Sequence, residues 1–230
     1  MTREVRREHI HRTMSADTQR GIESTRLIEW TGERCVPWSD DIQVVYEHFH
    51  RYHFAAQLVA GRRVIDLASG EGFGAAILAQ HAAEVVGVDL DPLAVEHSRR
   101  AYHHDNLSFV EGSMLSRDTL PKGQFDVVTC FEAIEHVDDH DGLLAVARSL
   151  LVDDGLLLLS TPDRDVYAQA SGQANPFHVR ELSQPELLDL LRKKFPHVQL
   201  WGQVTMAGSV LFALDGSSTG AQLKIGRAHV

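Results

Sequence analysis

Residues Val64, Ile65, Asp66 and Leu67 form a short apolar strand that runs straight into Ala68, Ser69, Gly70, Glu71, Gly72, Phe73 and Gly74. Glycines in such a turn let the backbone take φ > 0 and pass close to a ligand. The small residues that follow suit a helix packed on the strand. Strand, glycine turn and helix are the opening of a crossover unit. They commit the chain to a mostly parallel sheet with helices on both faces and right-handed connections. Ligands of such sheets sit beyond the carboxyl ends of the strands, where the strand order reverses.

The rest of the chain repeats the alternation. Glu84–Val88 reads as a second strand, and Asp91-Pro92 opens a second helix with Asp as cap and Pro at its first position. Leu107–Val110, Phe125–Cys130 and Gly155–Ser160 read as further strands, with a helix over about 142–151 between the last two. Phe125–Cys130 is uniformly apolar, as a central strand should be. Ser183-Gln184-Pro185-Glu186 is a capping box for a helix to about Lys194. Val198–Trp201 and Ser209–Leu214 read as a closing antiparallel pair. Ahead of the unit, Ile42, Val45, Phe49, Tyr52 and Ala56 recur at helical spacing, with Asp40 or Asp41 as cap. The expected organisation is therefore a polar arm over 1–27, a helical cap over 28–62, the α/β domain over 63–215 and a tail over 216–230. Lys224–Val230 reads like a translated sequencing adapter. The expectation drawn from it is a chain cut near Leu223, with a downstream domain lost.

A length of 230 residues accommodates one such domain. A formal charge of −10, without a basic stripe, argues against a protein that grips nucleic acid through phosphates. Two cysteines far apart, Cys35 and Cys130, form neither a disulfide framework nor a metal motif, which fits a reducing, cytoplasmic setting. The first residues lack the apolar stretch of a secretory signal. No apolar run approaches the roughly 18 residues of a membrane span.

Three details separate the glycine turn from that of a nicotinamide dehydrogenase. The glycines are spaced Gly-x-Gly-x-Gly, and Asp66 puts an acid inside the strand, which suits a ligand with an ammonium and a sulfonium. Val85–Val88 leads to Asp89 at the end of the second strand, where a carboxylate can accept from both ribose hydroxyls, although dehydrogenases share this last feature. With Gln124–Glu132 and Leu156–Pro162, these segments resemble the class I S-adenosylmethionine-dependent methyltransferases over about 31–214. The resemblance implies a Rossmann-like, doubly wound, mostly parallel seven-stranded sheet with a C-terminal antiparallel strand. It implies S-adenosylmethionine as cofactor, held by Tyr52, Asp66, Ala68, Ser69, Gly70, Gly72, Asp89, Leu90, Ser113, Met114 and Phe131. Two positions depart from the family: Ala68 replaces a usual glycine, and Ser113 stands where an aspartate commonly meets the adenine amino group.

Thr31–Pro37, Glu47–Tyr52 and Asn175–Leu182 further resemble bacterial methyltransferases associated with surface-polysaccharide and glycosyltransferase systems. Glu33, His48 and Tyr52 would then line the cofactor entrance; helix packing and solvated polar groups are the plainer account of them. Phe131–His136 and Ser160–Pro162 are similar to ubiquinone-pathway O-methyltransferases.

The acceptor side is carried by Glu132, Glu135 and His136, whose spacing would gather them on one helical turn. With His178 they form a candidate set of four ligands for a divalent ion such as Mg²⁺ or Mn²⁺. The pattern resembles the metal site of small-RNA 2′-O-methyltransferases. Without a metal, Glu132 or His136 would hydrogen-bond cofactor and substrate, with His136 as base. His178 and Arg180 would then serve a substrate phosphate or carboxylate. The expected enzyme is an O-methyltransferase acting on a sugar or glycan-linked metabolite, with Glu132, Glu135 and His136 catalytic. Alternatives are a quinone-precursor O-methyltransferase, a nicotinamide-dependent reductase, and a non-catalytic cofactor-binding module of a larger protein.

Overall fold

A computed structural model describes residues 34–39, 41–166 and 175–205, and the backbone of 209–213. The expected N-terminal arm over 1–27, residues 28–33 of the expected cap with Glu33 among them, and the tail over 216–230 lie outside the described residues.

Helix α1 (Ile42–Ala56) begins where Asp41 accepts a hydrogen bond from the Val44 amide. Of its expected apolar face, Tyr52 and Ala56 are buried, whereas Ile42 at the open end is 75% exposed. The parallel strands follow: β1 (Arg63–Leu67), β2 (Glu84–Asp89), β3 (Leu107–Glu111), β4 (Phe125–Phe131) and β5 (Leu151–Ser160). They lie in the order β3-β2-β1-β4-β5. The order reverses between β1 and β4, so the crevice lies beyond Leu67 and Phe131.

Helices α2 (Phe73–Ala79), α3 (Pro92–Ala101), α4 (His140–Leu150) and α5 (Gln184–Arg192) cover the sheet. Alternate residues of each strand point to opposite faces. On one face Val64, Val85 and Val127 pack with Tyr52, Ala55, Leu78 and Val95 from α1, α2 and α3. On the other Ile65, Leu67, Val128 and Cys130 pack with Leu143, Ala147, Leu190 and Leu191 from α4 and α5. Helix starts follow the expected chemistry: Asp91 accepts from Leu93 N ahead of Pro92, and Ser183 with Glu186 closes a capping box.

Among the described residues the expected seven-stranded sheet is seen as five parallel strands plus a separate antiparallel ribbon, β6 (Trp201–Thr205) with β7 (Ser209–Ala213). The ribbon is tied to α1 instead of to β5. Gln203 accepts from Arg51 Nε at 2.7 Å and donates to the Glu47 carbonyl at 3.2 Å, while Thr205 donates to the Glu47 carboxylate. Polar side chains thus find charged partners on α1 that an edge strand would not supply.

Candidate active site

The glycine-rich loop after β1 is wound by three residues at positive φ: Ala68 (56°), Gly70 (58°) and Gly72 (98°). Left-handed backbone costs a non-glycine residue about 1–2 kcal/mol, which explains why a glycine is the usual choice at position 68. Just inside α2, a Cβ on Gly74 would fall 2.0 Å from the Tyr52 ring, so α1 can lie against the loop only with glycine there.

The loop sits against Asp89 at the end of β2. Asp89 accepts from the amides of Gly70 at 2.8 Å and Asp91 at 2.9 Å. Burial pushes its carboxyl up, opposed by those two amides and by Arg34. Arg34 pairs with Asp91 at 2.8 Å. Next to Asp89, Leu90 is 71% exposed, an apolar surface at the strand end. Ser69 Oγ is buried without a hydrogen-bond partner. Ser113 accepts from the Leu115 amide, and Met114 packs against the core. A carboxylate, a glycine loop, an unpartnered buried hydroxyl and an exposed leucine at adjacent strand ends fit a nucleoside with an amino-acid arm.

Asp66 differs from expectation. It is fully buried, and its oxygens accept from Tyr52 Oη at 3.1 and 3.3 Å and from Thr129 Oγ1 at 2.6 Å. Burial raises its carboxyl to about 7 against the opposing pull of Thr129 and Tyr52. The acid is engaged inside the fold, clamping α1 to β1 and β4 through Tyr52 and Thr129. Tyr52 is correspondingly buried, its ring edge-on to Phe131 at 5.0 Å.

Beyond β4 the chain does not form the expected helical turn across Glu132, Glu135 and His136. Glu132 takes φ 49°, and only Ile134–His136 form a 3₁₀ turn. Glu132 is not among the side chains that converge with Glu135. It accepts from Ser160 Oγ at 2.7 Å and pairs with Arg51 at 3.2 Å. Burial would push its carboxyl up, but Arg51, His48 and Ser160 hold it below the ordinary range. His48 donates from Nδ1 to the Val44 carbonyl at 2.8 Å, and burial lowers its pKa, aided by Arg51.

Glu135, His136 and His178 do converge: one ligand atom from each lies within 4.8 Å of the others, and they form the metal-capable cluster among the described residues. The four-ligand set is thereby corrected to three, Glu132 being held by Arg51. Glu135 accepts from Thr161 Oγ1 at 3.0 Å through one oxygen, while Oε1 is buried without a partner. Burial, then the charge of Glu132, raises Glu135 to about 8. His136 donates from Nδ1 to the Phe177 carbonyl at 2.9 Å, leaving Nε2 as its lone-pair nitrogen. Asn175 donates to His178 Nε2 at 3.0 Å, and His178 Nδ1 donates to Glu181. The backbone brings this loop in: Val179 and Arg180 amides both donate to the Glu135 carbonyl, at 2.9 and 3.1 Å. Arg51, Ser160 and Thr161 lie in segments quoted for the family resemblance, but none was given a role from sequence. Besides that resemblance, the available signal was that Glu132 and Glu135 would need partners if buried.

The family model described as "Methyltransferase domain" matches residues 41–205. A curated relative from Mycobacterium tuberculosis, "Probable S-adenosylmethionine-dependent methyltransferase", is 35% identical over 173 residues, 73% of this chain and 61% of its own length. The chain thus spans about three fifths of that relative. A "Ubiquinone biosynthesis O-methyltransferase" of Psychrobacter arcticus is 32% identical over 46% of this chain and 43% of its own length. Magnesium protoporphyrin IX methyltransferase from Synechocystis, solved with bound S-adenosylhomocysteine, shares the fold at a TM-score of 0.59 and 17% identity, over 77% of this chain and 87% of its own. With its glycine loop set against Asp89 at the switch point of a parallel sheet, the chain belongs to the class I S-adenosylmethionine-dependent methyltransferase family.

Proposed function

We propose that this protein transfers a methyl group from S-adenosylmethionine to a hydroxyl oxygen of a small-molecule acceptor bound beside Glu135, His136 and His178. The observation that carries this reading is the convergence of those three side chains next to the ends of β4 and β5. The cofactor supplies an electrophilic methyl on a sulfonium. Asp89 would take the ribose hydroxyls, and the loop over Ala68–Gly72 would align the amino-acid arm. The acceptor oxygen forms the new bond to carbon as the carbon–sulfur pair leaves with sulfur. With no ion in the cluster, its proton would pass to His136 Nε2, the nitrogen that the Phe177 carbonyl leaves with a lone pair; with an ion bound, that lone pair would be the ligand instead. Alignment alone is worth several kcal/mol in such a displacement.

A divalent ion such as Mg²⁺ or Mn²⁺ would be held by Glu135, His136 and His178. The orphaned Oε1 of Glu135 fits that role, although His178 would have to exchange its bond from Asn175 or to Glu181. Bound there, the ion would supply Lewis acidity to a hydroxyl that is barely ionised at pH 7.

The cluster is edged by Asn175, Thr161 and Glu181, a hydrogen-bonding surface that suits a sugar or glycan-linked acceptor. A catechol-like quinone precursor is the second reading, favoured by the similarity to the Psychrobacter arcticus protein. No helix among the described residues is long and apolar enough to cross a membrane. The test is transfer of a labelled methyl group to nucleotide sugars and to catechols, with and without chelator. The expected result is methylation of one class, with at least a hundredfold loss of turnover in Glu135→Gln, His136→Ala and His178→Ala. Wild-type turnover in His136→Ala would remove the base. Turnover indifferent to chelator, with no Mn²⁺ bound in paramagnetic resonance, would remove the ion.

A further inference from the structure

One buried polar group in the cofactor loop is left unused by this mechanism. Glu71 lies between Gly70 and Gly72, yet its side chain turns inward and is 0% exposed. Tyr102, the C-cap of α3, donates its hydroxyl to both carboxylate oxygens, at 3.0 and 2.9 Å. His97, on α3 and 1% exposed, donates from Nε2 to the same carboxylate at 3.1 Å. Ser98 of the same helix donates to the Gly70 carbonyl at 3.4 Å, and a Cβ on Gly72 would meet Ser98 Oγ at 2.7 Å. Trp38 packs its ring 5.6 Å from that of His97.

These contacts close a ring. Asp89 holds the loop from the ligand side through Gly70 N, and α3, whose N-cap Asp91 comes two residues after Asp89, holds it from behind through Glu71. The loop and the carboxylate expected to take the ribose are therefore fixed relative to each other before any ligand arrives. Filling space would not require this arrangement, because an apolar side chain of similar size would fill it without the penalty of burying a carboxylate. What the carboxylate adds is direction: it accepts from two side chains of one helix and sets where Gly70 and Gly72 stand.

We infer that Glu71, gripped by His97 and Tyr102, is a positioning residue that preorganises the glycine-rich loop and so sets the affinity for the adenosyl cofactor. Ordering a loop on binding costs affinity, and a loop held in its bound shape avoids that cost.

The experiment measures S-adenosylhomocysteine binding by calorimetry to the full chain and to Glu71→Gln, Tyr102→Phe, His97→Gln and His97→Ala. It is run well below each unfolding midpoint, with circular dichroism showing the fold intact. Glu71→Gln and His97→Ala should each weaken binding about tenfold, and Tyr102→Phe severalfold, the range expected for loss of hydrogen bonds to a charged group. His97→Gln, whose amide can donate from the position of Nε2, should return to within about threefold of wild type. Tyr102→Phe removes one oxygen from a half-buried side chain, so it decides the matter if Glu71→Gln does not fold. Wild-type affinity in folded Tyr102→Phe and Glu71→Gln, or no recovery in His97→Gln over His97→Ala, would overturn the inference. Failure of the wild-type chain to bind would overturn the cofactor reading itself, a different result from selective loss in the variants.

Discussion

Asp66→Asn tests whether the acid ahead of the glycine loop is a structural clamp or a ligand contact. In the fold its carboxyl is 0% exposed, accepts from Tyr52 and Thr129, and is raised to about 7 by burial. An unfolded aspartate titrates near 3.9. The folded state therefore holds the proton more tightly than the unfolded state. That contribution is complete below about pH 4 and is lost as pH rises through about 7. A shift of roughly 3 units at 1.36 kcal/mol per unit is about 4 kcal/mol. Asparagine has no such titration, and its unfavourable contact with one hydroxyl is an offset independent of pH. Urea unfolding followed by tryptophan fluorescence at pH 4 to 8 should show the variant gaining about 4 kcal/mol relative to wild type across that range. Because the Asp66 oxygens are taken by Tyr52 and Thr129, S-adenosylhomocysteine affinity should change by less than about threefold. A stability difference that is flat with pH would refute the burial argument. A large loss of affinity would return Asp66 to the ligand.

Asp89→Ala should lower S-adenosylmethionine affinity about tenfold to a hundredfold by calorimetry, the cost of losing charge-assisted hydrogen bonds. Ala68→Gly should raise stability by about 0.5–1 kcal/mol in urea titration, since relief of φ 56° outweighs the added freedom of the unfolded chain. Arg51→Met should cost about 2–4 kcal/mol, because Glu132 is held ionised by that guanidinium. Adding Glu132→Gln should restore a good part of it, and strict additivity of the two changes would show that the pair is not coupled.

The order of elements was legible because it follows from local rules. Apolar runs, the Asp91-Pro92 start and the Ser183–Glu186 box placed helices and strands close to their observed bounds. Asp89 fell at a strand end because a five-residue parallel ladder from Val85 to Asp89 leaves it nowhere else. The first strand of the closing pair starts three residues later than expected, at Trp201 instead of Val198, where its side chains meet Arg51 and Glu47 on a helix about 150 residues earlier in the chain. Spacing likewise misread Glu132. Three residues of separation gather side chains only if the backbone is helical, and here Glu132 takes a left-handed step whose reward, Arg51 and Ser160, comes from distant elements. Asp66 looked like a ligand because an acid in a buried strand is unusual; Tyr52 and Thr129 satisfy it, and neither partner is visible from its neighbours in sequence. What local composition determined was the sheet, its crevice and the glycine loop. Which charged groups converge at that crevice was decided by tertiary structure, since each buried carboxylate had to find donors on other elements, and Glu135 keeps one oxygen without a partner.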